Sequence, residues 1–268
     1  MVRERKIGSH QHAAGVIVLG AEPAGGGRGN DPRGPDDRAG IDAPAIKIAN
    51  TKSYGAEVVL YDRYRESREE VGGNIARERG ATIVAPYDDP RVIAGQGTAG
   101  LEMMEQAAAI GAVPDVVLVG ASGGGLISGV SIAVKEKCPS TRIYSVEPAG
   151  FDDLARSLAS GAHQRNAALS GSICDALLAA TPGELTFEVA RRNLAGGLVV
   201  TDEEAKVAVR YAFEELKLVV EPGGAVSLAA MLAGKIELRG KTVAAVLSGG
   251  NVDPTLFAEI IQERRPVM

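Results

Sequence analysis

Asp115-Val-Val-Leu-Val-Gly-Ala-Ser-Gly-Gly-Gly-Leu-Ile-Ser-Gly129 decides the fold. Asp115–Val119 reads as a short apolar strand buried on both faces. A glycine turn follows, and Leu126–Lys137 reads as a helix. Backbone N–H groups in such a turn have no intrahelical partner, and the helix dipole adds partial positive charge there. The turn therefore suits a phosphate, and the first functional expectation is a phosphorylated cofactor or substrate.

Working outward, short strands alternate with helices. Ala43–Tyr54 has a helical pattern that stops at Gly55, and Ala56–Tyr61 is strand-like. Ser67–Glu78 reads as an amphipathic helix ended by Gly80, Ala81–Ala85 as a strand and Val92–Ile110 as a helix. Arg142–Val146 is the next strand. Thr201 and Glu204 form a capping box opening a helix that runs to about Lys217. Ala225–Leu232 is helical, and Lys241–Leu247 is a buried strand ending in a second glycine turn, Ser248-Gly-Gly-Asn251. This alternation predicts an α/β fold with parallel sheets flanked by helices. In open sheets of that kind, ligands bind where strands end in such turns.

Composition narrows the function. The chain has 268 residues with 29 basic and 34 acidic side chains, a net charge of −5, and no basic stripe, so nucleic acid is not an expected partner. Aromatics are 4% with no Trp, which disfavours base stacking. No apolar run is long enough for a membrane span, and none at the start resembles a secretory signal. Cys138 and Cys174 belong to no Cys-x-x-Cys pair and read as buried thiols of a cytoplasmic protein. His10 and His12, two residues apart with no further ligand nearby, do not make a metal site, so no metal is expected. Asp88 and Asp89 before Pro90 read as a turn. Gly20–Gly40 holds seven Gly, three Pro and seven charged residues, with no Val, Ile, Leu, Met or aromatic, and reads as a loop or disordered stretch.

Several segments together resemble the pyridoxal-phosphate-dependent threonine/serine dehydratases (threonine ammonia-lyases), of the tryptophan-synthase-β-like fold. They are Ala45-Ile-Lys-Ile-Ala-Asn-Thr-Lys-Ser-Tyr-Gly-Ala-Glu-Val-Val59, Pro86-Tyr-Asp-Asp-Pro-Arg-Val-Ile-Ala-Gly-Gln-Gly-Thr98, the Ser122–Gly129 turn, Ile173-Cys-Asp-Ala-Leu177, Val220-Glu-Pro-Gly-Gly-Ala225 and Leu247-Ser-Gly-Gly-Asn-Val-Asp253. The resemblance implies a small domain over residues 1–90, incomplete at its start, and a large cofactor domain over 91–268. It implies that Ser122, Gly123, Gly124, Gly125 and Leu126 cradle the cofactor phosphate and that Ser248 faces the pyridine nitrogen. A serine there leaves that nitrogen largely unprotonated, which suits β-elimination of water. The implied reaction turns threonine into 2-oxobutanoate, or serine into pyruvate, with release of ammonia; hydroxyaspartate-type acids stay open as substrates. It places Glu221 near the cofactor's face of the large domain, and implies a homo-oligomer.

Gly8-Ser-His-Gln-His-Ala-Ala-Gly-Val16 resembles a degraded form of the family's Ser-x-Gly-Asn-His-Ala motif, with Ser9 the remnant serine, His12 the histidine and Gln11 where the family's Asn contacts the ring hydroxyl. The family's Schiff-base lysine lies upstream of that motif, in a segment with no counterpart here. Lys6 stands in the wrong context, and Lys47 and Lys52 fall on a helix that is non-catalytic in the family. The expectation is a truncated or frame-shifted N-terminal portion and no dehydratase activity for the chain as written. Two other readings stay open: a non-catalytic pyridoxal-phosphate-binding protein, and an NAD-dependent oxidoreductase using the Gly123 turn with Glu147 after the next strand.

Overall fold

The computed structural model describes residues 16–19, 45–62 and 65–263 of the chain. Ser9, Gln11, Lys6 and the histidines at 10 and 12 lie outside the described residues.

Strand β1 (Val16–Leu19) pairs antiparallel with β2 (Glu57–Leu60), and helix α1 (Ala45–Ser53) leads into β2 through Gly55 at φ +83°. Helix α2 (Arg68–Arg79) is capped by Ser67 and closes on left-handed Gly80. Ala81–Ala85 is not a strand: Ile83 and Val84 are 53% and 79% exposed. A five-residue run forms a strand only where a partner edge lies alongside, and pairing of that kind is non-local. The parallel arrangement expected from the sequence belongs to the larger sheet; the two-stranded ladder runs the other way.

That larger sheet is the frame of the site. After α3 (Pro90–Ala109), β3 (Val116–Gly120) leads through the glycine turn into α4 (Gly125–Lys137) and then β4 (Arg142–Pro148). Helices α5 (Asp153–Ser160) and α6 (Glu184–Asn193) precede β5 (Gly196–Val200), and α7 (Asp202–Tyr211) runs on as one π-helical turn to Leu216. Helix α8 (Pro222–Leu232), β6 (Val243–Ala245) and α9 (Pro254–Gln262) complete the described chain. The strand order is β5-β4-β3-β6, all parallel.

Strand β3 is buried along its whole length, and its two-residue period divides the core. Val116 and Leu118 join one cluster with Ala208 and Val209 of α7, Val226 and Ala229 of α8 and Ile260 of α9. Val117 and Val119 face the opposite layer, with Met104 of α3, Val130 and Val134 of α4 and Phe187 of α6. Helices thus cover both faces, as a continuous apolar strand demands. Fully burying a side chain such as Leu118 contributes about 1.5–3 kcal/mol.

Helices α3 and α4 cross closely because glycines line the contact. A Cβ on Gly129 would collide with the backbone of Ile93 and Gly97, and one on Gly100 would lie 2.9 Å from the Val130 carbonyl oxygen. The crossing sets the start of α4, and with it the glycine turn.

Candidate functional site

Strands β3 and β6 are parallel neighbours, so their C-terminal ends lie side by side. The turn after β3 carries Ser122, Gly123, Gly124, Gly125 and Leu126, and the turn after β6 carries Ser248 and Gly249. All of these residues line one cleft of about 990 Å³. From β3 the chain goes to β4 on one side, while β6 lies on the other, so the cleft sits at a switch point of the sheet.

Gly124 takes φ +92° to turn the chain into α4. Among the described residues, no acceptor meets the N–H groups of Gly123, Gly124, Gly125 or Leu126. The carbonyl of Gly123 is turned the other way: it accepts from Gly183 N at 3.2 Å and from Thr186 Oγ1 at 2.6 Å. Ser122 Oγ accepts from Ala179 N at 3.0 Å, which leaves its proton for a ligand. The Ser248 hydroxyl has no protein partner among the described residues, while its N–H reaches the Gly224 carbonyl at 3.4 Å. Gly249 lies so close to Glu221 that a Cβ there would strike Glu221 Oε1.

Lys47 also faces this cleft. Helix α1 places it 4% exposed, with Nζ 2.7 Å from Asp175 Oδ2 and 3.0 Å from Glu221 Oε2. Burial works against its charge, yet Glu221 and Asp175 outweigh burial and raise its pKa above the ordinary lysine value. Lys47 is therefore an ammonium tie from α1 to the floor of the cleft, and a poor nucleophile. Cys174, next to Asp175, is fully buried, and burial above all pushes its thiol up to about 12, so it is inert.

Arg65, Arg68 and Arg165 also line the cleft. Arg68 forks onto Glu69 at 3.2 and 2.8 Å, and its guanidinium lies 5.9 Å from the centre of the Tyr87 ring. The Tyr87 ring also lines the cleft and packs on the glycine turn, where a Cβ on Gly123 would fall into it. The sequence gives no signal for Thr186, for the packing of Tyr87 on the glycine turn or for the cleft-facing position of Lys47, because each acts on residues far along the chain.

The acid expected to serve a dinucleotide is otherwise engaged. Glu147, fully buried at the end of β4, accepts from Leu154 N at 2.9 Å and Ala155 N at 2.8 Å, and so caps α5. Its buried carboxyl group is not available to ribose hydroxyls, which removes one of the two features that favoured an NAD-dependent oxidoreductase.

A family model described as pyridoxal-phosphate dependent enzyme matches residues 41–249. This chain belongs to that family. L-threo-3-hydroxyaspartate ammonia-lyase of Saccharomyces cerevisiae is 39% identical over 222 residues, 82% of this chain and 66% of that protein. L-threonine ammonia-lyase of Thermotoga maritima is 38% identical over 225 residues, 82% of this chain and 54% of that protein. Among solved structures, maize serine racemase superposes with a TM-score of 0.73 at 38% identity, covering 81% of this chain and 66% of that one. The processed form of threonine deaminase isoform 2 from Solanum lycopersicum gives 0.72 at 28% identity, covering 83% and 65%. The chain spans 66% and 54% of the length of these two curated relatives. The matched fold is the tryptophan-synthase-β-like one, and pyridoxal phosphate is the family's cofactor. No helix among the described residues is long and apolar enough to cross a membrane.

Proposed function

We propose that this protein is a threonine/serine dehydratase-like member of its family that grips pyridoxal phosphate between the two glycine turns, the dehydratase reaction being β-elimination of a hydroxy amino acid. One observation carries the reading: both turns leave neighbouring parallel strands and line a single cleft. The residues suit the group. The outward N–H groups of Gly123, Gly124, Gly125 and Leu126, at the N-terminus of α4, match a phosphate. The free hydroxyl of Ser248 suits the pyridine nitrogen, where a neutral hydroxyl leaves the ring less protonated than a carboxylate would. Bound pyridoxal phosphate supplies an electron sink for bond breaking at the α-carbon of an amino acid.

The protein's own groups do the rest. Arg65, Arg68 and Arg165 draw an amino-acid carboxylate into the cleft. Lys47 holds Glu221 in place beside Gly249. A lysine amine that could link the cofactor covalently must be neutral, and Lys47 is held as an ammonium. The reading is therefore a cofactor held without a covalent bond to Lys47, with no dehydratase turnover through it. The protein is read as cytoplasmic, where Cys138 and Cys174 stay free thiols.

The test is to mix the protein with pyridoxal phosphate, record its visible spectrum, reduce with borohydride and map the peptides. Binding with an unmodified Lys47 peptide supports the reading, and Ser248→Ala should weaken binding several-fold. Reduction onto Lys47 contradicts the account of that residue. Absence of binding by the parent protein overturns the cofactor assignment.

A further inference from the structure

Asp88 stands on the segment between α2 and α3, in the left-handed region at φ +56°. Such a conformation is uncommon for a residue with a side chain and asks for a reason. Its neighbour Asp89 does the local work, capping α3 through Arg91 N at 2.8 Å. Asp88 instead points away from its own helix. Its Oδ1 accepts from Leu185 N at 2.8 Å and Thr186 N at 3.0 Å, and its Oδ2 accepts from Glu184 N at 3.1 Å. These are the first N–H groups of α6, whose N-cap is Gly183, a residue with no side chain to offer. A Cβ on Gly183 would strike the Asp88 carboxylate. The glycine leaves room for a cap delivered from 96 residues upstream.

The capped turn bears directly on the glycine loop. Thr186, the third of those N–H donors, gives its hydroxyl to the Gly123 carbonyl, and Gly183 N donates to the same oxygen. The Thr186 side chain also lies within 2.9 Å of where a Gly124 Cβ would be. The Gly123 carbonyl and the Gly124 N–H belong to one planar trans peptide, so holding that carbonyl toward α6 turns the Gly124 N–H to the opposite side.

We propose that Asp88 is a positioning residue for the anion-binding loop: by capping α6 it holds Thr186 and Gly183 against the Gly123 carbonyl and so fixes the Gly123–Gly124 peptide, whose N–H heads the phosphate seat. This rests on reading that loop as the phosphate seat. A carboxylate shared by three N–H donors gives each a charge-assisted bond, so its loss frees the whole turn.

Three probes are titrated against the parent protein, Asp88→Ala and Asp88→Asn: pyridoxal phosphate, unphosphorylated pyridoxal and inorganic phosphate. Amide hydrogen exchange at Glu184–Thr186 is followed in parallel. Asp88→Ala should weaken pyridoxal phosphate and phosphate by about tenfold, the size of one lost cap. Pyridoxal affinity should change little, and protection at Glu184–Thr186 should fall. Asp88→Asn, which keeps an acceptor oxygen, should recover part of the phosphate affinity. Faster exchange at Glu184–Thr186 with unchanged phosphate affinity overturns the proposal, as does an equal loss for pyridoxal and pyridoxal phosphate. Failure of the parent to bind any phosphorylated probe overturns the cofactor reading itself, and the proposal with it.

Discussion

At the scale of single residues, two buried carboxyls make the protein sensitive to pH. Burial, and then the charge of Asp153, push Glu147 well above the usual carboxylate range. Burial pushes Asp153 from 3.8 up to about 6, against the pull of its bond from Asn166. The folded protein thus keeps protons that the unfolded chain has already released. The contribution of Asp153 to stability is greatest in acid and declines as pH rises from near 3.8 through about 6. Asp153→Asn removes that decline while keeping the acceptor for Asn166. Its unfolding free energy should exceed that of the parent by on the order of 2 kcal/mol near neutral pH and by almost nothing near pH 4. Urea titrations at both pH values check this, and a difference independent of pH contradicts it. The Lys47 tie follows the same logic with the same sign, in a far more alkaline window. Its raised pKa means the contribution is complete at neutral pH and is lost only in strong alkali.

At the scale of elements, the glycine-lined crossing of α3 and α4 is the sharpest constraint. The atoms a Gly129 side chain would meet are backbone atoms of Ile93 and Gly97, which cannot swing aside. Gly129→Ala should therefore cost at least about 1–3 kcal/mol, and a thermal midpoint matching the parent contradicts this close fit. Helix α7 owes its start to a cap within four residues: Thr201 Oγ1 accepts from Glu204 N at 3.2 Å, and Glu204 accepts from Thr201 N at 2.7 Å. Thr201→Ala should cost about 1 kcal/mol, read as a lower urea midpoint. Features of this local kind were legible in the sequence. The glycine stops at Gly55 and Gly80, the Thr201 box and the strand–turn–helix at Val116–Lys137 all stand where their residues place them. Helix α6 was not legible, because its N-cap glycine is mute and its cap comes from Asp88. Strand β5 was hidden by Gly196 and Gly197. A Cβ at Gly197 would meet Ala155 of α5, so the glycine answers to a distant neighbour rather than to strand propensity.

At the scale of the whole molecule, two helical layers on a parallel sheet bring the glycine turns together, and this much could be read from the alternation of apolar runs. The cleft's finer equipment could not, since Lys47 reaches Asp175 across 128 positions and no local pattern marks either as a partner. A ligand that bridges both turns should stabilise the fold as a unit. Pyridoxal phosphate at a hundred times its dissociation constant should add about 2.7 kcal/mol, seen as a rise in melting temperature that pyridoxal at the same concentration does not match. Equal shifts from both compounds contradict a phosphate seat at the glycine turn.

The pairing of β3 with β6 has a temporal consequence. Asp115 Oδ2 holds Thr242 N at 2.8 Å although 127 positions separate them. During synthesis the first turn leaves the ribosome long before β6 exists, and chains grow at about 5–20 residues per second. For several seconds the nascent protein presents an anion seat with no opposite jaw. The vitamin-derived ligand can act as a folding partner only once β6 has emerged, and supplying it earlier should not speed the acquisition of protease resistance.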